Sequence, residues 1–172
     1  GLREAFALAG KQVLEERREA GDEALRLASQ LASMLKNQGK NDEARPLYEH
    51  VLAVEERTLG AEHPSTLGTM GNLALVLENQ GDLAAAREMN ERTLKAQERA
   101  LGAAHPDTLG TMGNLANVLL EQGDLAAARE MCERTLKAQE RRLGAEHLDT
   151  LLTMGNLAGV LLEQGDLAAA RE

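Results

Sequence analysis

Residues His105–Glu146 read HPDTLGTMGNLANVLLEQGDLAAAREMCERTLKAQERRLGAE, and nearly the same text stands on either side of them. Moved back by 42 positions, the stretch falls on His63–Ala104 and is identical at 35 of 42 residues. Moved forward by 42, it falls on His147–Glu172 and is identical at 23 of 26. A period of this size with a helix pattern in each half marks a helical solenoid. One helix pair leaves apolar surface exposed, and stacking the next pair on it closes a continuous core. Leu109, Met112, Leu115, Ala116 and Leu119 recur at steps of three and four and share one helical face. Leu125, Ala128, Met131, Cys132, Thr135 and Leu136 form the apolar face of a second helix. Gly123 stops the first helix, Asp124 caps the second, and Gly144 closes the unit. The expected fold is all-α, a solenoid of antiparallel helix pairs.

Working outward from this unit divides the whole chain. Residues 63–104 and 105–146 are full repeats, 147–172 is a truncated one, and 22–62 is a worn copy. Residues 1–21 read as an N-terminal helix, a partial or capping repeat, with Gly21 breaking it and Asp22 capping the next. In the worn copy Leu25, Leu31, Ala32, Leu35 and Gln38 stand 42 before Leu67, Leu73, Ala74, Leu77 and Gln80. Pro46 lies deep enough in its helix to predict a distortion or a later start. The last helix begins at Asp166 and is too short to stand alone, which reads as truncation of a longer array or as the end of the ordered part. Glu91 to Lys95 and Glu133 to Lys137 are spaced for pairing along a wet face. Gly110 and Gly113 inside a helix each cost roughly 1 kcal/mol against alanine, which predicts close approach of a neighbouring helix or of a ligand.

Composition narrows the function. The 28 acidic and 19 basic side chains give a net charge of −9, which disfavours nucleic acid and suits a basic or neutral partner. One phenylalanine, one tyrosine and no tryptophan leave nothing on which bases could stack. Cys132 is the only cysteine, so no intrachain disulfide exists and a reducing, cytoplasmic setting is expected. No apolar run approaches the ~20 residues of a membrane span.

Asn114-Leu115-Ala116 followed by Leu119, Glu121-Gln122-Gly123-Asp124, Ala128 and Leu136 resembles the tetratricopeptide repeat (TPR). The 42-residue unit, with Leu59-Gly60-Ala61-Glu62-His63-Pro64 and Arg45-Pro46-Leu47-Tyr48, is similar to the kinesin light chain variety. The resemblance covers about residues 22–172. It departs where Tyr48 becomes Asn90 and Cys132, and where the proline of His-Pro becomes Leu148. It implies a right-handed superhelix whose first helices line a concave groove for an extended peptide. It further implies that asparagines there bond a peptide main chain.

Asn72, Asn114 and Asn156 hold that place, with Gln30 at the matching position of the worn copy. A carboxamide both donates and accepts, so it can pair with any extended backbone; the bland alternative is a bond within the solenoid. Differences between first helices fall at Gly68/Gly110/Leu152, Leu75/Asn117/Gly159, Glu78/Leu120/Leu162 and Asn79/Glu121/Glu163. These positions cluster near one helical face, while core positions stay constant. The candidate peptide groove is therefore Gln30, Asn72, Asn114, Asn156, Leu75, Asn117, Gly159 and Glu121. His63, His105 and His147 recur too far apart to share a metal and suit a capping or linker role. Cys132 has Asn90 as its counterpart and reads as a buried filler. No catalytic constellation, cofactor motif or metal site is present in the sequence. The expected function is a protein-interaction scaffold. The alternative is a structural, self-assembling or sensor segment of a larger protein, associating through an exposed C-terminal edge.

Overall fold

The computed structural model describes residues 21–165. Among them α1 occupies 21–37, and there follow α2 (Asn41–Thr58), α3 (Pro64–Asn79), α4 (Leu83–Ala100), α5 (Pro106–Glu121), α6 (Leu125–Leu143) and α7 (Leu148–Glu163). No strand occurs among the described residues. From α3 onward each helix packs on the one before it, and α3 also touches α5. This is the contact pattern of a solenoid.

Local chemistry sets the ends. After α5, Gly123 takes φ +76, and Asp124 N–H bonds back to the Leu119 carbonyl at 2.9 Å while Gly123 N–H bonds Leu120 at 2.9 Å. Only glycine adopts that left-handed turn freely, so α5 stops there. The next residue then starts α6, because the Asp124 carboxylate accepts from Ala127 N–H at 3.3 Å. Between units, His63, His105 and His147 are N-caps: each Nδ1 accepts the backbone N–H two residues on, at 3.2, 3.3 and 3.2 Å. The expected capping role is therefore met. Behind each linker sits a buried threonine, and Thr108 and Thr150 donate to the Gly102 and Gly144 carbonyls at 2.9 Å.

Leu109, Met112, Leu115, Ala116 and Leu119 are all buried, joined by Ala128 and Cys132 from α6 and Val160 from α7. Each fully buried aliphatic side chain contributes about 1.5–3 kcal/mol, an upper bound given residual burial in the unfolded chain. Position 48 and its counterparts show how the units diverged. Tyr48 is fully buried and its hydroxyl lies 2.9 Å from Ser33 Oγ, whereas Asn90 is fully buried with both amide atoms unpartnered. Cys132 fills the third place, and burial pushes its thiol pKa up, with Glu133 adding to the shift.

Several expectations are corrected. Gly21 and Asp22 are both helical, so no break with an Asp22 cap occurs there. α2 starts at Asn41 and runs through Pro46 without interruption. The ring deprives only the Asp42 carbonyl of its usual donor, and Asp42 is exposed to water. Glu91 and Glu133 pair with Arg87 and Arg129 at 2.8 Å, one turn earlier, rather than with Lys95 and Lys137. The expected helices within residues 1–20 and from Asp166 lie outside the described residues.

Candidate functional site

The solenoid has two faces, one from the second helices α2, α4 and α6 and one from the first helices α1, α3, α5 and α7. The second-helix face is tied up internally. Arg45 of α2 holds Glu49 at 2.9 Å and reaches Asp82, the α4 cap, at 3.1 Å. Arg87 repeats this one unit on, with Glu91 at 2.8 Å and Asp124 at 3.2 Å. Arg92 pairs with Glu56 and Arg134 with Glu98, again from one second helix to the next. Such exposed pairs contribute about 0–1 kcal/mol each. Their effect here is to tie successive second helices together across two clefts of about 280 Å³ each.

The first-helix face is bare by comparison. An added Cβ at Gly68, Gly71, Gly110, Gly113, Gly155 or Gly159 would meet nothing within 4 Å. No neighbouring helix approaches Gly110 or Gly113 closely, which overturns helix packing as their reason. Their helical φ values are ordinary, so turn geometry does not require them either. The outcome is a strip of exposed backbone flanked by amides.

The groove residues fall on this strip as follows. Asn72 is half-buried and its Oδ1 accepts a 2.6 Å bond from Lys36 Nζ of α1. In that unit the bland alternative, a bond within the solenoid, is the one observed. Asn114 is half-buried, and no side-chain bond holds it among the described residues. Gln30, Asn117, Glu121 and Asn156 are exposed, and Leu75 and Gly159 are half-buried. Asn72 and Leu75 stand one turn apart on α3, Asn114, Asn117 and Glu121 on successive turns of α5, and Asn156 and Gly159 on α7. One more of the variable positions, Glu78, is half-buried near the end of α3. Burial raises the Glu78 pKa, and Glu121 of α5 raises it further.

That shift has a measurable consequence. A folded-state carboxyl raised above its unfolded value destabilises the fold wherever it is ionised, and the penalty disappears as pH falls below the unfolded value of about 4. Glu78→Gln should therefore raise the melting temperature at neutral pH, with the advantage over wild type shrinking in acid. A constant gap across pH would mean that Glu78 is not the group responsible.

One repeated set lies outside the residues singled out in the sequence: Gln139 lines the cleft between α5 and α7, and Glu55 and Gln97 are its counterparts in the repeat. Glu55, Gln97 and Gln139 stand 42 apart near the ends of α2, α4 and α6. All three are more than nine-tenths buried, and each has a side-chain oxygen without a hydrogen-bond partner. Their signal was available: Thr93 and Gln97, like Thr135 and Gln139, are spaced i, i+4 with buried threonines. A polar residue beside arginines reads as surface, so the spacing went unused.

Comparison with known proteins agrees with this architecture. The tetratricopeptide repeat family profile matches residues 23–99, 66–140 and 107–172. No curated protein matches the chain by sequence. Among solved structures, the nearly identical TPR-like repeats of a Podosopora anserina protein described as a kinesin light chain superpose with a TM-score of 0.77 at 30% identity. That match covers 86% of this chain and 70% of the other, and a singly substituted form of the same repeats gives 0.77, 30%, 86% and 69%. BtubC (BKLC) from P. vanneervenii shares the fold, with a TM-score of 0.79 at 22% identity over 86% of this chain and 59% of that one. Repeat length, capped helix pairs, stacking and these matches together place the chain in the tetratricopeptide repeat family, as a right-handed α-solenoid of kinesin light chain-like type.

Proposed function

We propose that the array is a protein-interaction scaffold that takes an extended peptide along its first-helix face. One observation carries the reading: that face keeps open backbone at Gly68, Gly71, Gly110 and Gly113, while ion pairs bridge the smaller clefts, about 280 Å³ each, on the second-helix face. Asn114 and Asn156 would bond the peptide main chain, and Leu75, Asn117, Gly159 and Glu121 would set which side chains fit. Asn72 would do so after release from Lys36. The net charge of −9 favours a basic or neutral partner, and the single cysteine suits a reducing compartment such as the cytoplasm. No helix among the described residues is long and apolar enough to cross a membrane.

The test is a peptide selected from a random library. Asn114→Ala and Asn156→Ala should each weaken its binding by ~1 kcal/mol or more, with unfolding midpoints unchanged. Equal affinity across wild type and both variants would remove the asparagine assignment.

A second reading rests on a different observation. Leu148, Leu151, Leu152, Met154 and Leu162 of α7 are all exposed, Leu148 by 67%. A patch of that kind favours association between copies. Light scattering over a wide concentration range decides it, since a constant monomer mass would rule self-association out.

A further inference from the structure

An open cleft of about 460 Å³ lies between α5 and α7, with the end of α6 as its floor. Gly110 and Gly113 form one wall, Leu143 and Leu152 give apolar surface, and Asp149 stands at the rim. On the floor is Gln139, 7% exposed, with its Oε1 buried and unpartnered. Burying an amide oxygen without a donor costs about 1–3 kcal/mol, so one such group is a liability and a repeated one asks for an explanation. It is repeated. Gln97 carries the same unpartnered Oε1 in α4, and Glu55 an unpartnered Oε2 in α2.

We propose that Glu55, Gln97 and Gln139 are the acceptor floors of a row of side-chain pockets, and that these pockets take lysines of an extended basic segment. The inference rests on the groove reading above and names the side chain that the groove selects.

Three properties point to lysine. The unmet need at every floor is a donor, and the first floor is a carboxylate, which only accepts. The Gln χ3 torsion is broad, so each amide can turn its oxygen toward an entering donor with little strain. In the third cleft the walls are glycine backbone and leucine, which fit an alkyl stem carrying a charged tip. The repeat places Gly68, Gly71 and Leu101 likewise beside Gln97, whereas Arg26 and Ser29 take the glycine places beside Glu55. The surrounding charge agrees, at −9 for the chain. Arg142 lines the third cleft, but its guanidinium is bonded to the Ala104 carbonyl. In the middle unit the 42-residue repeat puts Ala100 in place of Arg142 and keeps an aspartate, Asp107, in place of Asp149, so the surroundings of Gln97 lack that cation. Successive first helices lie on the order of 10 Å apart, which matches one turn of a polyproline II segment, three residues at about 3.1 Å each. In that form every third side chain faces one side, so lysine at every third residue meets successive floors.

The experiment uses a fluorescent peptide of about twelve residues with that spacing in an alanine-serine background. It is paired with the same peptide carrying norleucine in place of lysine. Both are titrated against the full chain and against Gln97→Leu/Gln139→Leu, which leaves net charge unaltered and removes two unpartnered buried acceptors. The double variant should melt no lower than wild type. It should bind the lysine peptide about tenfold or more weakly and the norleucine peptide unchanged. Equal binding of both peptides, lost on Asn114→Ala, would overturn the lysine pockets and leave the groove standing. Lysine binding that ignores Gln97, Gln139 and Asn114 alike would be attraction to net charge alone and would overturn both. Failure of both peptides to bind would do the same. Loss on the glutamine variant with no effect of Asn114→Ala would keep the pockets and remove the asparagine role.

Discussion

Replacing Gly68, Gly71, Gly110 and Gly113 together by alanine is expected to stabilise the array by roughly 2–4 kcal/mol. Glycine inside a helix loses more backbone entropy on folding than alanine, a difference of about 0.5–1 kcal/mol per site. Ordinarily a buried glycine cannot be replaced because its neighbour is too close. Here the new methyls would meet nothing within 4 Å, and none of the four has a positive φ. The four lie in two helices, so Gly68 with Gly71 and Gly110 with Gly113 are the pairs whose effects could couple. Urea unfolding would show the gain as a higher midpoint with the same slope. A variant no more stable than wild type would mean that these backbones are covered after all. The same methyls would project into the proposed groove, so affinity for a selected peptide should fall as stability rises. That opposition is what a site retained for function produces.

Asn90→Cys should stabilise by about 1–3 kcal/mol, the desolvation penalty of a buried amide without partners. Asn90 is fully buried, and neither its Oδ1 nor its Nδ2 has a partner. Cysteine is close to asparagine in volume and already fills the equivalent place at Cys132, so the substitution relieves the polar penalty without opening a cavity. Asn90→Tyr is the informative contrast. Tyr48 is stable in its unit because Ser33 lies 2.9 Å from its hydroxyl, and the residue matching Ser33 in the next unit is Leu75. A tyrosine at 90 would arrive larger and with no partner for its hydroxyl, and should destabilise. Calorimetry on the two variants reads both signs. Two losses would show that Asn90 contributes a bond that cysteine cannot supply.

Both predictions turn on the difference between local and convergent information. Helix positions, glycine stops and aspartate caps follow from interactions within a few residues. That is why Gly123, Asp124 and the buried face from Leu109 to Leu119 are legible in a single unit. The histidine caps belong to the same class, since His105 answers an amide two residues away. Repetition adds the stack, because a helix pair with one unsatisfied apolar face has its own copy as the next layer. Family membership follows from that period and those motifs.

What a helix meets across the stack is another kind of fact. Gly110 and Gly113 looked like close-packing residues because their composition carries no record of distance, and the space beside them is set by three helices at once. Glu91 could pair forward with Lys95 or back with Arg87. The choice went to Arg87, which also reaches the Asp124 cap of the following unit, a partner 37 residues away. Asn72 met Lys36 across the unit boundary for the same reason. Gln139 lies where α6 sits behind α5 and α7, and Glu55 and Gln97 hold the same place in the repeat. Whether a polar atom there finds a partner depends on all three. The period and the turns are therefore written in the chain, while the open groove and its unmet acceptors arise only when the units are stacked.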